Sequence, residues 1–182
     1  MDKCYEWCRP TVAMLGIHNG RVLLVRSSKR TDENDQPGWL FPQGGVEAGR
    51  YVLTELAREM REELALKYSL ARISELVRSG EIAILGGYMN TCRGGKKPKY
   101  IVTVAVPIVK PSRIVLSSEE NDDYRLVGTP QELSDLLVTT RPVKRLGIYS
   151  AVSRAYVLGL IDWSCDGLFG DLRQTNGLAQ VA

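Results

Sequence analysis

The sequence predicts a mixed α/β domain in which a β-sheet lies between helices. Three observations carry this: an Asn-Gly hairpin signal near the start, a strongly amphipathic helix behind a glycine-rich segment, and a second strand pair followed by two further helices. With 182 residues, 44% hydrophobic and 25% charged, the chain is long enough for one full core and ordinary in composition. That excludes wholly disordered, collagen-like and coiled-coil classes. A net charge of +3 is too small for a histone-like binder, but it suits a phosphate-bearing ligand held at a local basic patch.

Thr11 to Ile17 and Arg21 to Val25 are apolar and β-prone, and Asn19-Gly20 between them takes the positive φ angles of a tight turn. Ser27 to Gly38 is polar and ends on Pro37-Gly38, which predicts a mobile loop before a short strand at Trp39-Leu40-Phe41. Phe41 to Gly49 is then a glycine-rich loop. From Tyr51 to Leu64, Val52, Leu53, Leu56, Ala57, Met60 and Leu64 recur at helical spacing. A short helix from Ala71 to Arg78 ends at Gly80. Ile82–Met89 and Tyr100–Val109 form a second hairpin across the basic loop Arg93 to Lys99. Thr129-Pro130-Gln131-Glu132 supplies an N-cap, a proline at the first helical position and an acidic third position for a helix to about Val138. A last helix spans about Val143 to Ile161. Residues 1–161 are expected as one domain and 162–182, of mixed polarity without periodicity, as a loosely attached tail.

No apolar stretch approaches the roughly 18–20 residues of a membrane helix, and Met1 to Trp7 lacks the apolar core of a signal peptide, so no membrane partner and a cytoplasmic location are expected. Cys4, Cys8, Cys92 and Cys165 are scattered, and the one histidine, His18, sits beside a turn; reduced thiols are expected rather than disulfides or zinc.

On the long helix, Glu59, Glu62 and Glu63 fall within a narrow arc at about 100° per residue. Like charges so placed weaken a helix by about 0.2–0.5 kcal/mol per pair, so they need solvent, the neighbouring Arg58 and Arg61, or a bound cation. A solvated acidic face is the ordinary reading of such a run. The segment upstream changes it: Phe41-Pro42-Gln43-Gly44-Gly45-Val46-Glu47-Ala48-Gly49 leads directly into this helix, and glycines let backbone approach a ligand closely.

Together the two segments resemble the signature of the Nudix hydrolases. The pattern begins at Gly44, reaches Arg58-Glu59-Met60, continues to Glu62-Glu63 and ends at Ala65-Leu66, with matching spacing throughout. Arg50 stands where the family usually has Glu, and Ala65 where it usually has Gly. The resemblance implies a Nudix α/β/α sandwich and a hydrolase acting on the phosphoanhydride of a nucleoside diphosphate linked to another moiety. It also implies Mg²⁺ or Mn²⁺ held principally by Glu59 and Glu63 with a backbone carbonyl near Gln43 or Gly44, Glu62 being a further ligand or organiser and a distal Glu120 a ligand or general base. Arg58 would orient the carboxylates. Glu119 competes with Glu120 for the distal role, in a segment, Glu120 to Val127, that resembles the one bringing a further carboxylate to the family's site.

Trp39 to Gly45 and Gly95 to Tyr100 also resemble paired motifs of the branch containing RNA 5′-pyrophosphohydrolases and dinucleoside polyphosphate hydrolases. The second motif departs at Lys96 or Pro98 and at Tyr100, and Asp122-Asp123-Tyr124-Arg125 is similar to a run in a sugar-nucleotide branch. Dinucleoside polyphosphates or RNA 5′ ends are therefore the favoured substrates. Nucleoside triphosphates (including oxidised ones), nucleotide sugars and a catalytically silent nucleotide-binding module are the alternatives. Candidates for holding phosphate are Arg26, Lys96, Lys97 and Lys99, and Tyr100 or Trp39 could stack on a base. Monomer and homodimer both remain open.

Overall fold

Asn19 and Gly20, at φ of 48° and 73°, turn β1 (Arg9–His18) back into β2 (Arg21–Ser27), as the Asn-Gly pair predicts. The computed structural model describes residues 7–28, 38–90 and 97–163. The two strands pair beside the turn, Ile17 with Val22 and His18 with Arg21. They then part. One edge of β1 is given to the parallel strand β6 (Lys99–Pro107), so the stretch of its other edge beyond β2 accepts β4 (Gln43–Gly45) at Thr11 to Ala13. In the same way β2 gives one edge to β7 (Asn121–Val127) and accepts β3 (Trp39–Leu40) at Val25 and Arg26. The hairpin thus opens as a fork whose prongs are extended by two short strands.

With β5 (Ala83–Asn90) antiparallel on the far edge of β6, the sheet has seven strands in the order β3-β2-β1-β6-β5, β4 and β7 lying off this path. It is mixed through the parallel pair β1–β6. Val12 to Leu15 and Val22 to Val25 are buried without alternation, because both faces of the central strands are covered.

Helices flank the sheet. The helix α1 (Val52–Leu64) buries Leu56, Met60 and Leu64 at four-residue spacing against β1 and β4. Beside it runs α2 (Leu70–Arg78), capped by the Ser69 hydroxyl, which accepts from the Arg72 N–H at 3.1 Å. Thr129 caps α3 (Pro130–Leu137) by accepting from the Glu132 N–H at 3.1 Å, as its sequence predicts. The last helix, α4 (Pro142–Val157), lies on β5 with Gly147 against Tyr88; a Cβ there would meet the ring at 2.3 Å.

Three local expectations are corrected. Within the segment expected as a glycine-rich loop, Gln43–Gly45 form a strand, since the forked β1 leaves backbone groups for them to pair. Asn121–Val127 is a strand whose charged residues mask its period. The last helix ends at Val157 rather than near Ile161, where Leu158 caps it and Gly159 turns to φ 71°. Trp163 is buried and its indole N–H donates to the Gly20 carbonyl at 2.9 Å, so the chain is still fastened to the hairpin turn at that point. The rest of the expected tail, 164–182, lies outside the described residues, as does most of the loop expected at 27–38. No described helix is long and apolar enough to cross a membrane.

Candidate active site

The fork in the sheet brings β4 against α1. A Cβ on Gly44 would fall 1.8 Å from the Glu59 carboxylate, and one on Gly45 would fall 2.7 Å from Arg9 Nη2. Both glycines serve close approach: glycine alone leaves the Glu59 carboxylate and the Arg9 guanidinium where they are.

The apolar face of α1 fixes where its charges go. With Leu56, Met60 and Leu64 in the core, Glu55, Glu59 and Glu63 border that apolar face and are buried with it, Glu62 lies further round, and Arg58 sits among the acids. Its Nε donates to Glu55 Oε2 at 2.8 Å, its Nη1 to Glu62 Oε2 at 2.6 Å, and its Nη2 to the Gly45 carbonyl at 3.1 Å and to Glu59 Oε1. Burial pulls the guanidinium pKa down, but the Glu55 hydrogen bond and the charges of Glu59, Glu55 and Glu62 outweigh it and raise the pKa overall. Arg58 thus ties three carboxylates of the helix to one another and to the β4 backbone.

Glu63 is buried, with Oε1 accepting from the Gln43 N–H at 3.3 Å and Oε2 from Asn121 Nδ2 at 3.1 Å. Burial pushes its carboxyl up to about 7; those two hydrogen bonds hold it back, and the charges of Glu59 and Glu120 push it further. Burial also raises Glu59, against the pull of Arg58 and with a further push from Glu62.

The segment after β6 returns to the end of α1, where the Val115 and Ser117 N–H groups donate to the carbonyls of Leu64 and Glu63, each at 3.1 Å. That return delivers Glu119 and Glu120 to one cavity of about 750 Å³ with Glu59, Glu62 and Glu63. Both distal candidates line it, and the Glu120 charge acts directly on Glu63. Arg9, Lys99 and Lys144 line the same cavity.

Of the basic residues singled out from sequence, Lys99 is therefore at the site. Arg26 pairs with Asp122 at 2.7 Å and lies 6.0 Å from the centroid of the Trp39 ring, which is core. Tyr100 lies across Gly87 on β5. Arg26, Lys97 and Tyr100 are not among the described residues lining the cavity, and Lys96 lies outside the described residues. Sequence reasoning missed Arg9, Lys144 and Glu55. The signal for Arg9 is the parallel register of β1 and β6, which sets it opposite Lys99; Lys144, in the last helix, has no local signal.

Among the described residues, no three acids already converge on one metal-binding point. Glu59 and Glu62 are turned onto Arg58, and Glu63 onto Asn121 and the Gln43 amide. The donor chemistry nevertheless fits a hard divalent cation. The described lining offers carboxylate and carbonyl oxygens without thiol or imidazole, and buried Glu63 is poorly accommodated as an anion without a cation beside it.

This fold and this acid-lined cavity define a phosphoanhydride hydrolase of the Nudix type. The NUDIX domain profile matches residues 8–145, and the chain belongs to that family. It is 33% identical over 142 residues to the nucleoside triphosphatase NudI of Escherichia coli, covering 76% of this chain and 95% of the relative. Among solved structures it is similar to the MutT protein of Methanosarcina mazei, at 20% identity and a TM-score of 0.58 over 81% of this chain and 94% of that one. It is also similar to the bifunctional NMN adenylyltransferase/ADP-ribose pyrophosphatase of Francisella tularensis complexed with AMP and a manganese ion, at 15% identity and a TM-score of 0.58, over 83% of this chain and 42% of that one. The chain is a Nudix pyrophosphohydrolase, of a family that uses divalent metals and nucleotide substrates.

Proposed function

We propose that this enzyme hydrolyses a phosphoanhydride bond of nucleoside triphosphates with Mg²⁺ or Mn²⁺. The observation that carries this reading is one cavity of about 750 Å³ in which six carboxylates share the walls with Arg9, Lys99 and Lys144. The similarity to NudI supports triphosphates over the dinucleoside polyphosphates and RNA 5′ ends favoured by the Trp39 and Lys96 motifs.

A phosphoanhydride is shielded from nucleophiles by its own oxygens. Glu59, Glu62 and Glu63, with the Gly44 carbonyl, would hold the divalent ion, which when bound neutralises phosphate charge and acidifies a water. Arg58 holds Glu59 and Glu62 together at the cavity wall by charge-assisted hydrogen bonds. Arg9, Lys99 and Lys144 hold the phosphates, so that the bond to be broken lies beside the acids. Glu120, on the exposed side, accepts a proton from the attacking water at its carboxylate.

The test is release of phosphate or pyrophosphate from a panel: standard and oxidised nucleoside triphosphates, a nucleotide sugar, a dinucleoside tetraphosphate and 5′-triphosphorylated RNA, each with Mg²⁺ and with Mn²⁺. The expected result is highest kcat/KM on triphosphates, falling by about 10²–10³ in Glu63→Gln. Nucleotide binding without turnover of any substrate would mean a silent module; preference for the tetraphosphate or RNA would restore the branch suggested by the motifs.

A further inference from the structure

Arg50 stands where the family pattern has an acid, and an acid the pattern does not call for, Glu55, is wholly buried one turn before Arg58. We propose that Glu55 is a positioning residue for the active site: the acid absent from position 50 is supplied from position 55, and it aims Arg58 at Glu59 and Glu62. This rests on the reading of those acids as holders of a divalent ion.

A buried carboxylate persists only against opposite charge, and Glu55 has it on both sides. Its Oε2 accepts from Arg58 Nε at 2.8 Å. Its Oε1 makes no hydrogen bond and lies 3.5 Å from Arg50 Nε, which is itself tied to Glu47 Oε2 at 2.8 Å. Guanidinium is planar, so fixing its Nε edge sets where Nη1 and Nη2 point. Those two nitrogens carry the bonds to Glu62, Glu59 and the Gly45 carbonyl. Glu55 is not among the described residues that line the cavity, and it acts through Arg58.

Relocation predicts reversibility. An Oε of glutamate is as many bonds from Cα as the Nε of arginine, so Glu at 50 can place an oxygen where Arg50 Nε now lies, beside the space that Glu55 Oε1 occupies. The test compares wild type, Glu55→Ala, Glu55→Gln and the double variant Arg50→Glu/Glu55→Ala. Mn²⁺ affinity is measured by electron paramagnetic resonance, and kcat and KM on the preferred substrate. Loss of the buried carboxylate should weaken Mn²⁺ binding and lower kcat by about 10–100-fold with little change in KM. The double variant should recover most of both losses. A helix that needed Glu55 only for stability would show neither the kcat-specific loss nor the rescue. Should Glu55→Ala not fold, the isosteric Glu55→Gln and its pairing with Arg50→Glu carry the same comparison. Wild-type Mn²⁺ affinity and kcat in the single variants, or a folded double variant without recovery, overturn the proposal. A wild type that binds Mn²⁺ but turns over nothing overturns the proposed function while the affinity series still decides Glu55; one that binds no Mn²⁺ overturns both.

Discussion

Asn121 Nδ2 donates to Glu63 Oε2 at 3.1 Å, a buried contact that joins β7 to α1 across 58 residues of sequence. It favours the charged form of an acid that burial pushes up to about 7. In Asn121→Leu that support is lost, the Glu63 proton is held more tightly, and a cation must displace it at higher pH. The acid limb of kcat/KM at subsaturating Mg²⁺ should therefore move up by about one pH unit, the size expected for one hydrogen bond to a charged group. An unmoved limb would separate Glu63 from the titration that controls activity.

The same burial sets how the metal-free protein responds to pH. Glu63, raised from 4.5 to about 7, and Glu59, raised in the same direction, bind more protons folded than unfolded in the window between those values. Their effect on stability is thus fully favourable below about 4.5 and is lost as pH rises through about 7, a swing on the order of 3 kcal/mol for Glu63 alone. Urea unfolding in EDTA should show Glu63→Gln gaining on wild type across this window. Added Mg²⁺ should reverse the trend, since it binds the deprotonated acids.

Gly44→Ala separates the fold from the site. Gly44 has no positive φ, so alanine suits its backbone, yet the new Cβ would fall 1.8 Å from the Glu59 carboxylate. The carboxylate must move. A displacement of about 1 Å in a catalytic group costs on the order of 10²-fold, so kcat should fall by that much while the circular dichroism spectrum is retained.

What was legible in the sequence was what is local. The Asn19-Gly20 turn, the Thr129 cap and the four-residue spacing of Leu56, Met60 and Leu64 each state their structure within a few residues, and the spacing from Gly44 to Leu66 states the family. The site's acids follow, because an amphipathic helix has little choice about which face carries Glu59, Glu62 and Glu63. Contacts made by the sheet's forking were hidden. Nothing near Gln43 says that β1 has an unpaired stretch of edge, and Arg9 and Lys144 meet Lys99 at the cavity only through tertiary packing. The partner of Arg26 was hidden for the same reason: only the fold places Asp122, 96 residues on, beside that strand-end cation.

Ala65 ends α1 at φ 55°, where Leu66 N–H closes onto the Met60 carbonyl at 3.0 Å. The left-handed geometry that the signature's usual glycine provides has been kept with a Cβ in place. Ala65→Gly should therefore stabilise the protein, by at most about 1 kcal/mol because glycine gains freedom when unfolded. Thermal melts should show a higher midpoint with kcat unchanged.

Arg9 and Lys144 approach the cavity from opposite ends of the chain, Arg9 at the first residue of β1 and Lys144 in the first turn of α4. Neither belongs to the signature. If they hold phosphate oxygens in the ground state and the transition state alike, removing them takes away binding without disturbing the metal-holding acids. Arg9→Ala and Lys144→Ala should each raise KM for a nucleoside triphosphate by about tenfold, the value of one charge-assisted hydrogen bond, and leave kcat nearly unchanged. Arg9→Lys should recover less than its charge suggests, because the space beside Gly45 is shaped for a planar guanidinium. A fall in kcat at constant KM would instead place these cations on charge that develops as the bond breaks, and a loss of Mn²⁺ affinity would mean that they support the acids rather than the substrate.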